Sequence, residues 1–249
     1  MSLLATEQLA KAFGGVRAVD GVSFAVDAGE IVALIGPNGA GKSTCFNLLN
    51  GQLAPDAGRI RLAGEDIAGR TPRLLQRLGI ARTFQITATF GSLTARENVQ
   101  VALLAAARRL ASPFSSAAAQ FREEAQALLA QVGLPAQAER TCAELAYGDL
   151  KRVELAVALA AKPRVLLMDE PTAGMAPAER GALMQLAAGE ARRAGMAVLF
   201  TEHDMEVVFA HADRVLVMAE GRLIAQGAPA AVRVDPRVRE VYLGSDAGA

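Results

Sequence analysis

The stretch Gly36-Pro37-Asn38-Gly39-Ala40-Gly41-Lys42-Ser43 follows directly on the apolar run Ile31-Val32-Ala33-Leu34-Ile35 and leads into a helical pattern. Strand, glycine-rich turn and helix start, with the spacing Gly-x4-Gly-Lys-Ser, read as a phosphate-binding loop. The glycines let the backbone turn its N–H groups inward around an anion, at a closeness a Cβ would block. The helix that follows points the positive end of its dipole at the same place. Lys42 adds a full charge, worth roughly 4 kcal/mol per phosphate charge at ~4 Å and an effective dielectric of ~20, before desolvation. The Ser43 hydroxyl, at the first turn of the helix, suits a Mg²⁺ ion.

The rest of the composition narrows the class. Acidic and basic residues balance at 26 each, so no overall field draws the chain to nucleic acid or anionic lipid. Over 249 residues, 52% are hydrophobic, enough for a substantial core. Lysine occurs only at positions 11, 42, 151 and 162, so the lysine of the loop stands out. Cys45 and Cys142 are far apart with no metal-ligand spacing, and are expected as reduced core thiols. The N-terminal residues have no basic segment followed by an apolar one, and no strongly apolar run reaches 18 residues, so neither a signal peptide nor a membrane span is expected.

Val22, Phe24 and Val26 alternate towards the Asp27-Ala28-Gly29 turn and predict an antiparallel strand feeding the loop strand. Upstream, Phe13 precedes Gly14-Gly15 and is read either as loop packing or as a platform under an adenine ring. A strand around Ile60 and Leu62, a helix from Thr71-Pro72 to Gly79 and a strand over 80–85 come next. An alanine-rich helical stretch begins at the capping-box pattern Thr94-Ala95-Arg96-Glu97. One face is expected from Val99, Leu103, Ala106 and Leu110, and a second helix from Phe121, Ala125, Leu128, Leu129 and Val132, joined through residues 112–116. Leu145-Ala146-Tyr147-Gly148-Asp149 is followed by a helical stretch over 150–156. The buried strand Val165-Leu166-Leu167-Met168 then exits into Asp169-Glu170, and Val198-Leu199-Phe200-Thr201 into Glu202-His203-Asp204, with a helix from Pro177 to about Ala194 between them. Strand, helix and strand in alternation predict a parallel sheet, whose carboxyl edge is where ligands bind in open α/β folds. A hairpin over 215–225 and a tail helix from Asp235-Pro236 to Tyr242-Leu243-Gly244 close the chain.

Taken with the phosphate loop, the acidic and imidazole groups fit one chemistry. Asp169 would hold Mg²⁺ with Ser43, Glu170 would polarise an attacking water, Gln85 would orient that water or touch the metal, and His203 would hydrogen-bond the γ-phosphate. In these motifs, from about Leu4 to Gly244, the sequence resembles the ATP-binding subunit of ABC transporters. The resemblance implies a P-loop NTPase core of α/β class with a parallel sheet, an N-terminal antiparallel β subdomain and an inserted α-helical subdomain. It places the nucleotide-binding core at 1–88 and 160–249 and the helical and signature part at 89–159 of a single cassette. Gly36 to Thr44 then form the Walker A loop, Gln85 the Q-loop glutamine, Leu145 to Asp149 the signature with Tyr147 and Gly148 facing nucleotide, Asp169 the Walker B carboxylate, Glu170 the catalytic base and His203 the switch histidine.

The signature departs from Leu-Ser-Gly-Gly-Gln at Ala146, Tyr147 and Asp149, and Ala176 replaces the usual Asp or Asn of the D-loop. Gly148 is kept, so backbone presentation to a phosphate survives while the serine hydroxyl does not. Arg82-Thr83-Phe84-Gln85, Leu-Ala-Tyr-Gly and Tyr242-Leu243-Gly244 are similar to the branched-chain amino-acid transport type, among whose close relatives are importers of urea, short amides and aromatic acids. The resemblance implies ATP and Mg²⁺ as cofactors and hydrolysis coupled to solute import. The implied partners are integral-membrane permease subunits, a second ATP-binding subunit (itself or a paralogue) in an ATP sandwich, and a periplasmic or extracytoplasmic solute-binding protein. The implied location is peripheral, on the cytoplasmic face of the membrane. The other reading is an ABC-type ATPase acting on nucleic acid or ribosomes, which the balanced charge disfavours.

Overall fold

The computed structural model describes residues 2–83, 89–108 and 120–243. Its centre is a six-stranded sheet built around β3 (Ile31–Ile35), in which all five residues are buried. β3 pairs in parallel with β8 (Ala197–Thr201) on one side and β9 (Arg214–Ala219) on the other. β7 (Val165–Asp169) and β6 (Ile80–Thr83) extend the sheet beyond β8, and β10 (Arg222–Gly227) closes the other edge as an antiparallel hairpin with β9.

Side chains alternate across this sheet and divide the core in two. Ile31, Ala33, Ile35, Leu166, Met168, Val198, Phe200, Val215 and Val217 face one layer. Val32, Leu34, Val165, Leu167, Leu199, Leu216 and Met218 face the other. With both faces covered, the strands are continuous apolar runs, as parallel strands buried on both sides must be. Each fully buried Leu, Ile, Val or Phe contributes about 1.5–3 kcal/mol, which makes the sheet the stable frame that positions the loops at its edge.

The second layer is covered by α1 (Lys42–Leu49) and by a four-stranded antiparallel sheet. That sheet has the order β2 (Val16–Asp27), β1 (Ser2–Phe13), β4 (Ala57–Leu62) and β5 (Glu65–Asp66). The twelve-residue β1 was not evident in the sequence because its alternation breaks. Leu4 and Thr6 point inward and so does Leu9, an odd step that follows a register shift at Gln8, whose φ is 48°. A bulge of this kind reverses the inside and outside parity of a strand, which hides it from a period-two reading. Cys45 and Cys142 are both free and buried, and burial pushes the Cys45 thiol up to about 12.

The first layer is covered by helices. α5 (Tyr147–Leu159), α6 (Pro177–Ala194) and α7 (Met205–His211) pack on the sheet, and α3 (Ala95–Ala106) and α4 (Arg122–Gln131) pack on α5. α2 (Pro72–Leu78) leads into β6, while α8 (Pro229–Val234) and α9 (Pro236–Leu243) follow β10. α8 was not foreseen, since six residues with only Val232 buried carry no readable helical period. The face expected on α3 holds at Val99 and Leu103, but Ala106 is exposed where the helix ends, and Leu104 is buried instead. Leu110 and the 112–116 connection lie outside the described residues.

α3 begins on a complete capping box. Thr94 Oγ1 accepts the Glu97 backbone N–H at 3.1 Å, and Glu97 Oε2 accepts the Thr94 N–H at 2.8 Å. One turn on, the Asn98 side chain accepts from the Phe90 N–H at 2.8 Å and donates to the Phe90 carbonyl at 3.1 Å, so the 59% exposed Phe90 is held in place by the helix start. Thr94→Ala removes the cap and is expected to lower unfolding free energy by about 1 kcal/mol. Urea titration followed by circular dichroism measures this, and an unchanged midpoint would show that the box contributes nothing.

Candidate functional site

The phosphate loop spans the end of β3 and the first turn of α1. Gly41, the N-cap of α1, has φ 101°, and a Cβ there would come within 2.1 Å of the Ala18 carbonyl. A Cβ on Gly36 would come equally close, 2.1 Å, to the Met218 carbonyl. Both positions therefore exclude any side chain, and β2 and β9 clamp the two ends of the loop. No side chain caps α1 and none of its first-turn residues is acidic, so its leading N–H groups and dipole face the loop with no competing carboxylate of their own turn. Asn38 and Gly39 form the exposed crown, while Ala40 is buried and hydrogen-bonded through its carbonyl to the Gly221 N–H at 3.1 Å.

Lys42 is buried to 8% exposure, and its ammonium donates to the Gly36 carbonyl at 2.6 Å and the Pro37 carbonyl at 3.0 Å. Burial pulls its pKa below the ordinary lysine value, and the Glu170 and Asp169 carboxylates oppose that shift. Ser43 is exposed and Thr44 half-buried in the same turn.

The parallel register brings the acidic groups to this edge. Thr201, at the end of β8, is level with Leu34 of β3 on one side and Asp169 of β7 on the other. Its hydroxyl donates to Asp169 Oδ1 at 2.8 Å and accepts the Glu170 N–H at 3.1 Å, tying both carboxylate residues to one buried oxygen. Glu170 has φ 47°, an uncommon conformation for a residue with a side chain and one that costs about 1–3 kcal/mol. Pro171 disfavours the right-handed helical alternative for Glu170, and the Thr201 carbonyl and hydroxyl fix the strained N–H. The strain aims the Glu170 carboxylate at His203, whose Nε2 lies 2.9 Å from Oε1, with the imidazole half exposed.

Two further contacts stiffen the segments after these strands. Buried Glu202 accepts from the Thr172 N–H at 2.9 Å and the Thr172 hydroxyl at 2.6 Å, linking the residue before His203 to the loop after Glu170. Arg180 donates to Asp204 Oδ2 at 2.5 Å and to the Met175 carbonyl at 3.0 Å, linking the start of α6 to the start of α7.

Lys42, Asp169, Glu170 and His203, expected to act together, therefore meet at one sheet edge. Tyr147 and Gly148 stand at the start of α5. The Tyr147 ring sits against Gly174, and a Cβ on Gly148 would come within 2.6 Å of Glu179 Oε1. Phe13, at the end of β1, is 48% exposed with the Lys11 ammonium 5.8 Å from its ring centre. Gln85 lies outside the described residues. The sequence reading missed Arg82, whose Nη2 donates to Asp169 Oδ2 at 2.7 Å, and Thr201. A signal for Arg82 existed, because an arginine in a strand that pairs within the sheet, next to Ile80 and Ala81, needs a partner.

The family described as ABC transporter matches residues 19–173, and the one described as branched-chain amino acid ATP-binding cassette transporter matches residues 222–248. The chain belongs to the ABC transporter ATP-binding family. The high-affinity branched-chain amino acid transport ATP-binding protein BraF of Pseudomonas aeruginosa is 39% identical over 97% of this cassette and 98% of its own length. LivG of Escherichia coli, described in the same terms, is 37% identical over 97% and 98%. Among solved structures, the ADP conformation of an ATP-binding cassette of an ABC transporter superposes with a TM-score of 0.87 at 33% identity, covering 98% of this cassette and 99% of that chain.

The position of the Lys42 ammonium inside the loop generates a direct expectation. Lys42→Ala removes the charge the loop encloses, and nucleotide affinity should fall about a hundredfold, in line with charge-assisted hydrogen bonds of ~1.5–3 kcal/mol each. Titration with a fluorescent ATP analogue reads this out. Unchanged affinity would remove the loop from the nucleotide site.

Proposed function

We propose that this cassette, an ATPase by family, drives import of branched-chain amino acids or related small polar solutes, with the residues above in defined roles. The observation that carries the reading is the meeting of Lys42, Asp169, Glu170 and His203 at one sheet edge beside an anion-binding loop. The solute rests on the similarity to BraF and LivG and on the match at 222–248. Action on nucleic acid or ribosomes finds no support in these relatives.

In this reading the Gly36–Thr44 loop, through its backbone N–H groups after Pro37 and the Lys42 ammonium, holds the β- and γ-phosphates, leaving the γ-phosphorus facing the β7 and β8 ends. Glu170 accepts a proton from the attacking water at its carboxylate, and the γ-phosphate takes a hydrogen bond from His203 in place of the present contact to Glu170. Gln85 orients that water or completes the metal shell, and Phe13 stacks on adenine. Ser43 and Asp169 would hold Mg²⁺. Both are hard oxygen donors, and a site that takes few protein ligands and completes itself with phosphate oxygens and water is the kind Mg²⁺ prefers. When bound, the ion neutralises charge on the phosphates.

Tyr147 and Gly148 serve the nucleotide of a second cassette, identical or paralogous, as the resemblance to the family implies. Residues 1–88 and 160–249 act as the nucleotide-binding core and 89–159 as the helical and signature part. Between them lies a groove of about 520 Å³ lined by Gln52, Arg73, Gln76, Thr89, Ala102 and Val157, with Phe90 exposed nearby. This groove receives an integral-membrane permease, which is fed by an extracytoplasmic solute-binding protein. No described helix is long and apolar enough to cross a membrane, and the cassette works peripherally at the cytoplasmic face.

Glu170→Gln tests the reading. An amide of the same size keeps the packing at the β7 end, yet cannot accept the proton, and loss of general-base assistance costs about 10²- to 10⁴-fold in rate. In the reconstituted transporter, ATP binding should persist while hydrolysis and solute uptake fall together by that factor. Hydrolysis at the wild-type rate would remove Glu170 from the chemistry.

A further inference from the structure

The side chain of Arg82 is 10% exposed and reaches three parts of the site from β6. Nη2 donates to Asp169 Oδ2 at 2.7 Å, and Nη1 donates to Asn47 Oδ1 in α1 at 2.7 Å and to Gln52 Oε1 at 3.0 Å. The guanidinium carbon lies 5.8 Å from the centre of the fully buried Phe46 ring. The other oxygen of Asp169 takes the Thr201 hydroxyl. A planar guanidinium fork is thus fixed by the helix that follows the phosphate loop and aimed at the Asp169 carboxylate.

We propose that Arg82 is a positioning residue for Asp169: it sets the orientation of this carboxylate and offsets its charge when nucleotide is present without a divalent cation. The inference rests on the reading of Asp169 as the metal-side carboxylate. Each carboxylate oxygen has two lone-pair sites, and Arg82 and Thr201 use one on each, so the group is held without exhausting its capacity to accept. A nucleoside triphosphate brings several negative charges to the loop beside Asp169, and an uncompensated carboxylate there would repel it. A buried ion pair is on average no more stabilising than packed apolar groups, so stability alone does not account for an arginine in this strand.

The effect appears in binding, without turnover. Let the ratio be nucleotide affinity with Mg²⁺ divided by affinity in EDTA, measured with a fluorescent ADP analogue. Without Arg82 the metal-free complex meets a bare Asp169 and weakens, while the Mg²⁺ complex holds or tightens. Arg82→Gln should therefore raise the ratio about tenfold, the scale of one charge acting across roughly 12 Å at an effective dielectric of ~20. Arg82→Met, which keeps the stem against Phe46, should do the same, and Arg82→Lys should stay within about threefold of wild type. In the Asp169→Asn background, Arg82→Gln should leave the ratio unchanged.

An unchanged ratio in both neutral variants would overturn the proposal, leaving the pair a structural contact visible only as a lower melting temperature. The proposal fails equally if the Arg82→Gln effect survives in the Asp169→Asn background, or if neither neutral variant folds while Asp169→Asn does. If Asp169→Asn by itself leaves the ratio at the wild-type value, the metal-side reading of Asp169 fails, an outcome separate from the failure of Arg82.

Discussion

The site depends on how closely two backbone segments pass the phosphate loop. The Ala18 carbonyl stands where a Cβ on Gly41 would be, and the Met218 carbonyl where one on Gly36 would be. Because β2 and β9 press on the loop from both ends, its curvature is set by the packing of two sheets and not by the nucleotide. An anion cradle made of N–H groups is effective only when those groups already point inward, since ordering them at the moment of binding would consume much of the interaction. Sheet packing, a matter of apolar burial, thus determines how a polar loop presents itself.

The second constraint is register. Leu34, Thr201 and Asp169 lie level across three parallel strands, so the loop, the histidine segment and the two carboxylates leave the sheet at one height. Slipping β7 by one residue would turn Leu167 and Met168 to the wrong layers and carry Asp169 away from Thr201. The strained φ of Glu170 is tolerable only because this frame over-determines it, through the Thr201 hydrogen bonds and the proline that follows. The charges are balanced in the same economical way, with Lys42 facing Asp169 and Glu170 from the loop and Arg82 holding Asp169 from β6.

Much of this was legible in the sequence where local chemistry and burial agree. The loop, the apolar strands, the capping box at Thr94 and the helix between Pro177 and Gly195 each carry a pattern of short range, and each falls where it was read. β1 was not legible, because the bulge at Gln8 shifts its parity and its second pairing partner, β4, lies far along the chain. Arg82 and Thr201 were missed for a different reason. Their roles exist only across strands, through register with Asp169, and no spacing along the chain encodes that. The positions of Tyr147 against Gly174 and Gly148 against Glu179 are equally a product of the fold.

The central claim is that the backbone of residues 38–44 is an anion cradle preset by the sheets around it. Amide hydrogen exchange across this segment, with and without ADP and Mg²⁺, tests it most directly. The account predicts that nucleotide slows exchange of these amides at least about tenfold while those of β3 and β8, already buried, change little. Unchanged exchange at 38–44 in the nucleotide-saturated protein would contradict it.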